Sequence, residues 1–232
     1  MATTLYLDQS DVSLLALDHR SALDVERHLL ERLARSGRVR LLVSVAHLAE
    51  TAQLSFKRCL AIMRYLNRLP GTVYAHAAPN AIYSAESLGK RVDMRELPVR
   101  HFGLRATMEA AVLAAHVVPI ADAVAQSDNF VRDEMLARQG LRLRLRLPAL
   151  HRAPGPATAL YEVLRRQTQW GLQRPTRRSD TIDGMHLAYA CYSDVATVDG
   201  FVYETTKKAR AAHCHRTRWF RTGSLAEVLA HV

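Results

Sequence analysis

Short apolar runs recur at both ends of this chain, and each is followed by a helical pattern. TLYLD (4–8), VRLLVS (39–44) and TVYAHA (72–77) stand in the first third. DVATV (194–198) and TRWF (217–220) stand near the other end. Runs of this length, rich in β-branched and aromatic residues, read as buried strands. Between the first two, residues 11–36 carry Leu14, Leu15, Leu17, Leu23, Val25, Leu29, Leu30 and Leu33 as the broad stripe of one helix. Gly37 supplies a stop. Residues 45–67 read as the next helix, closed by Pro70-Gly71. Strands alternating with helices predict an α/β fold with a mainly parallel central sheet flanked by helices. The chain has 232 residues, which suits a single domain over 1–232.

The middle departs from this rhythm. Residues 79–90 and 104–138 read as helical, with a break near Pro119. APGPA at 153–157 marks a turn, and 158–170 another helix. The block from about 85 to 175 therefore reads as a helical insertion or subdomain. The regular order resumes with a helix from Asp183 to about Tyr192 and another over 201–213. Ser224 and Glu227 form an S-x-x-E capping box for a last helix.

Lys and Arg number 32 against 22 Asp and Glu, a net charge of +10, which favours a polyanionic partner. The alternative is a charge that serves solubility alone. Arginines cluster in GLRLRLRLPALHR (140–152) and LRRQTQWGLQRPTRR (164–178). The period of two in LRLRLRL fits a strand with one basic face, or an edge strand kept soluble by charge. No run of about 18 apolar residues is present, so no membrane span is expected. MATTLYLDQSD lacks the layout of a signal peptide. Cys59, Cys191 and Cys214 are too few and too scattered for a disulfide framework, which fits a reducing cytoplasm.

Against this basic background, four acids share one position. Asp8 ends the first strand, and Asp199 follows the fourth. Glu50 lies six residues after Ser44, early in a helix, and Asp183 is read as a helix start, favoured by the helix dipole. Sites in parallel sheets form outside the carboxyl ends of the strands. Clustered carboxylates repel one another, and a hard cation such as Mg²⁺ or Mn²⁺ relieves the conflict. Such a metal activates water for attack on a phosphodiester, while arginines hold the nucleic-acid backbone. Each acid has a plainer alternative. Asp8 also suits a strand-end turn, Glu50 an exposed helix surface, Asp183 an N-cap and Asp199 a D-G turn.

Four segments, in order, resemble the PIN-domain nucleases, which include the VapC-type toxin ribonucleases. LYLDQS resembles the opening strand with its D-x-[NS], giving Asp8 and Ser10. RLLVSVAHLAET resembles the second strand and the helix bearing the family's glutamate, giving Glu50. DGMHLAYA is similar to the D-x-x-H-x-A helix start, giving Asp183, and ATVDGFVY to the T-x-D, giving Thr197 and Asp199. The resemblance spans about 4–77 and 180–232, slightly over half the chain. It implies a PIN-like fold and Mg²⁺- or Mn²⁺-dependent hydrolysis of RNA. It also implies a homodimer and, for a toxin, an antitoxin-like protein inhibitor. The central block exceeds a compact toxin of this family, so defence and RNA processing stay open as roles. A catalytically silent module that binds nucleic acid or protein is the alternative from another class.

Other residues are weighed in the same way. Asp194 precedes its strand and reads as a turn residue outside the site. His186 lies one turn after Asp183, as a partner of that acid or as a satisfied buried histidine. Thr197 and Ser10 are supporting candidates or ordinary strand and turn residues. His213, Cys214 and His215 lack the second ligand pair of a zinc site. Trp170 and Trp219 read as core anchors rather than base-stacking platforms.

Overall fold

In the computed structural model, residues 2–18, 23–75, 77–94, 96–98, 119, 121–127, 129–130, 133, 153–165, 175–210 and 216–232 are described. Five parallel strands form the sheet: β1 (Thr3–Tyr6), β2 (Val39–Ser44), β3 (Val73–Ala75), β5 (Val195–Val198) and β6 (Arg218–Arg221). A sixth, β4 (Glu96–Pro98), runs antiparallel along β3, and the order is β4-β3-β2-β1-β5-β6. β1 is central because every side chain from Leu5 to Leu7 can be buried on either face. Leu5 pairs with Leu41 on one side and Val195 on the other.

Alternation along β1 divides the core in two. Leu5 and Leu7 point into the layer of α1 (Gln9–Leu17), α2 (Asp24–Arg35), α4 (Phe56–Arg68) and α9 (Leu225–Ala230). Tyr6 points into the opposite layer, with α5 (Pro79–Ser87), α6 (Pro156–Arg165), α7 (Arg178–Ala190) and α8 (Gly200–Arg210). The short α3 (Val45–Thr51) joins β2 to α4. Helix α6, from the central block, places Leu160 and Leu164 in this second core against α7. Leu5→Ala removes a fully buried side chain at the sheet centre. It is expected to cost about 3 kcal/mol in urea unfolding.

Several boundaries differ from the sequence expectation, each for a local reason. The helix expected over 11–36 is two, α1 and α2. Asp18 leaves α1 in extended backbone, and the Arg27 guanidinium bonds the carbonyls of Leu15 and Asp18. The helix expected over 45–67 is also two. The Gln53 and Leu54 amides turn back to Glu50 and Thr51, and α4 restarts after Ser55. The leucine stripe hides both breaks because apolar residues stay buried on either side of them. α7 begins at Arg178, not Asp183. The Asp180 carboxylate takes the Arg177 N–H at 2.6 Å and so starts the helix five residues early. Asp183 therefore sits in the second turn, without the dipole advantage of a first-turn acid. The last helix does start after Ser224, but the Ser224 side chain makes no capping bond. Strand β4 has no counterpart in the sequence expectation.

Residues 121–127 are helical, and most of the helix expected over 104–138 lies outside the described residues. So do the LRLRLRL segment, Trp170 and the 213–215 trio. Cys59 and Cys191 are free and buried. Among the described residues, no helix is long and apolar enough to cross a membrane.

Candidate active site at the carboxyl edge of the sheet

The carboxyl ends of β1, β2 and β5 open onto one edge, and the acids arrive there from different elements. Asp8 leaves β1 as the N-cap of α1. Its Oδ1 accepts the Ser10 N–H at 2.9 Å and the Ser10 hydroxyl at 2.7 Å. Its own N–H donates to the Thr197 hydroxyl oxygen at 2.8 Å, which pins the end of β1 to β5. Ser10 and Thr197 thus both act on Asp8, one on its carboxylate and one on its backbone. Asp199 caps α8 by accepting the Val202 N–H at 2.7 Å. It therefore serves as a cap residue rather than as the corner of a D-G turn.

Glu50 reaches the edge from α3 and takes a hydrogen bond from His186 Nε2 at 3.0 Å. Asp183 comes from α7, one turn before that histidine. Asp8, Glu50, Asp183 and Asp199 all keep part of their surface in water, while Thr197 and His186 beneath them are buried. Asp183 feels the other three acids. Burial pushes the Asp183 carboxyl up to about 8, and the charges of Asp199, Glu50 and Asp8 push it the same way. Burial lowers the basicity of His186, but the hydrogen bond and charge of Glu50, with Asp8 and Asp183, outweigh it and leave the imidazole raised.

His186 is a buried histidine with two partners. Its Nδ1 meets the Tyr6 hydroxyl at 2.7 Å, while its Nε2 faces Glu50. Tyr6 also meets Ser44 Oγ at 2.9 Å, and Ser44 adjoins His47 Nδ1 at 3.1 Å. His47 Nε2 ends on the Leu7 carbonyl at 2.6 Å. Burial, and then the charge of His186, hold His47 down at about 3, so it is neutral. The rings of Tyr6, His47 and His186 meet edge to face, with centroids 4.8 to 5.8 Å apart.

Asp11, which no sequence motif singles out, is fully buried behind Asp8. Burial raises its carboxyl, while Thr197 and the Gly223 N–H, at 2.8 Å, oppose the rise. No pattern flags it, because an acid in the first turn of a helix is ordinary. Asp194 accepts the Thr4 N–H at 2.7 Å, at the far end of β5 from the acids. Trp219 packs partly buried against the second core.

The donors are all oxygens, the ligand type of Mg²⁺ and Mn²⁺, and the His186 charge opposes the rise at Asp183 without cancelling it. The set is open rather than caged. Among the described residues, no three His, Cys, Asp or Glu side chains stand in ready metal-binding geometry. A hollow of about 350 Å³ beside Asp8 and Glu50 is lined also by Ser10, Ser13 and Gln53. Of the arginine clusters, 140–152 and 166–174 lie outside the described residues. Arg178 faces Asp122 at 3.5 Å. No family model matches the chain, and comparison with curated proteins and with solved structures finds no match.

Proposed function

We propose that this protein is a divalent-metal-dependent nuclease of the PIN-like kind that hydrolyses RNA. The observation that carries the reading is the convergence of Asp8, Glu50, Asp183 and Asp199 on the carboxyl edge of the sheet, and the raised Asp183 carboxyl supports it. Four acids outnumber the one histidine among them, and a divalent cation relieves the remaining repulsion. Asp8, Glu50, Asp183 and Asp199 would hold Mg²⁺ or Mn²⁺, which when bound lowers the pKa of water and stabilises charge on the phosphodiester. Ser10 fixes the Asp8 carboxylate, Thr197 its backbone and His186 the Glu50 carboxylate. The excess of basic residues favours the polyanionic substrate. By the resemblance, a homodimeric toxin held by an antitoxin-like inhibitor is one biological setting for this chemistry, and the sparse cysteines fit the cytoplasm.

The open spacing of the acids is the one observation on the side of a catalytically silent module that binds RNA or protein. One experiment separates the two. A mixed RNA pool is incubated with the protein in Mg²⁺, Mn²⁺ or EDTA, beside Asp8→Asn. The nuclease cuts only with metal. The variant loses at least about 100-fold, more than the ~10–100-fold typical of residues one step behind a ligand. RNA binding without cutting in any metal selects the silent module.

A further inference from the structure

We propose that the buried chain from Leu7 through His47, Ser44, Tyr6 and His186 is a positioning device that fixes the direction of the Glu50 carboxylate. The inference rests on the nuclease reading, in which Glu50 is a metal ligand. Tyr6, Ser44, His47 and His186 are each 0 to 2% exposed and come from β1, β2, α3 and α7. Packing alone does not call for them, since phenylalanine fills the space of Tyr6 without a hydroxyl to satisfy. Buried polar groups are costly unless every one is paired, and none of these four has an unpaired side-chain atom. The end of the chain that reaches solvent is Glu50, whose side chain is 31% exposed.

The protons follow from the fixed end. A carbonyl only accepts, so the Leu7 oxygen requires N–H on His47 Nε2. His47 Nδ1 is then bare, and it accepts the Ser44 N–H at 3.1 Å and the Ser44 hydroxyl. That frees Ser44 Oγ to accept from Tyr6, and the Tyr6 oxygen to accept from His186 Nδ1. Should His186 lack that proton, the Tyr6 hydroxyl turns to donate to it and the Ser44 hydroxyl turns to donate to Tyr6, while the Ser44 N–H stays on His47 Nδ1. In both arrangements His186 Nε2–H points at Glu50 Oε2, so the carboxylate meets a donor held from behind. Partners of this kind orient a ligand while touching neither metal nor substrate.

The test is calorimetric titration of the full chain with Mn²⁺, read beside RNA cleavage. Tyr6→Phe deletes one hydroxyl and is expected to keep the wild-type thermal midpoint within a few degrees. It should weaken Mn²⁺ binding about 10-fold and lower kcat while leaving KM for RNA unchanged. His186→Gln keeps a donor toward Glu50 and should bind Mn²⁺ more tightly than His186→Ala. Adding Tyr6→Phe to His186→Gln should cost nothing more, because the link is already cut. Wild-type affinity in Tyr6→Phe, independent losses in the double variant, or equal binding by His186→Gln and His186→Ala would each overturn the proposal. Should Tyr6→Phe not fold, the comparison of Gln with Ala at 186 decides. A wild-type protein that takes up no Mn²⁺ overturns this proposal and the nuclease reading together. Failure in the variants alone leaves the nuclease reading standing.

Discussion

Asp183→Asn is expected to stabilise the metal-free protein. The folded state holds the Asp183 proton up to about pH 8, whereas an ordinary aspartate releases it near 3.8. Between those values the folded protein is protonated where the unfolded chain is not. Stability contributed by that proton is complete below 3.8 and is lost as pH rises through about 8. Each tenfold change in proton affinity is worth about 1.4 kcal/mol, and water at the exposed rim of the group screens part of it. Ionised Asp183 therefore costs the fold about 3 kcal/mol, and asparagine removes that cost. At roughly pH 9 in EDTA the variant should melt about 6–12 °C above wild type, from the usual ~2–4 °C per kcal/mol for chains of this size. The gap should shrink toward acid pH. Saturating Mn²⁺ should raise the wild type and not the variant. An unchanged or lower midpoint for Asp183→Asn in EDTA would mean that burial and the neighbouring acids do not burden an ionised Asp183.

The second large effect is expected far from the acids' edge. Glu86 ends α5 as a buried carboxylate, 4% exposed. It accepts the Ala157 N–H at 2.9 Å, the Thr158 N–H at 2.8 Å and the Thr158 hydroxyl at 2.6 Å, and also the Tyr192 hydroxyl. It is thus an N-terminal anchor for α6 supplied from another helix. Hydrogen bonds to a charged group contribute about 1.5–3 kcal/mol each, and a lost partner leaves buried donors unsatisfied. Glu86→Ala should cost about 3–4 kcal/mol in urea unfolding. It should also speed hydrogen exchange at Ala157 and Thr158 before the rest of the chain opens. Gly155 has no room for a side chain, because a Cβ there would run into Glu86. Uniform exchange with an unchanged midpoint in Glu86→Ala would show that α6 is held by its apolar face alone.

The strands are legible because burial on both faces leaves a continuous apolar run, as in VRLLVS. β4 is not. Three residues ending in a proline carry no such run, and they pair only because β3 offers a free edge. Helix interruptions at 18 and 52–55 are invisible for a similar reason. They are set by side-chain-to-backbone bonds from Arg27 and by two local turns, neither of which alters the leucine stripe. The edge on which Asp8, Glu50 and Asp199 lie follows from strand direction alone. The start of α7 does not, since Asp180 acts from within the first turn on the Arg177 N–H and leaves no cap residue to read ahead of the helix. Tyr6, Ser44 and His47 read as strand and helix filler, because a tyrosine in an apolar run looks like core. Only folding, which brings His186 to Tyr6 across 180 residues of sequence, gives those hydroxyls and rings their partners.

The central position of β1 has a bearing on how the chain comes off the ribosome. β1 can pair with β2 once Ser44 has emerged, but its other neighbour, β5, begins at Val195. Contacts across such a separation form late, since closing a long loop precedes any gain from it. A nascent chain carrying Asp8 and Glu50 lacks Asp183, His186 and Asp199 until the helix and strand that bear them have also been made. Half of the acids, and the histidine that bonds one of them, thus join the edge only after the whole central block has been made.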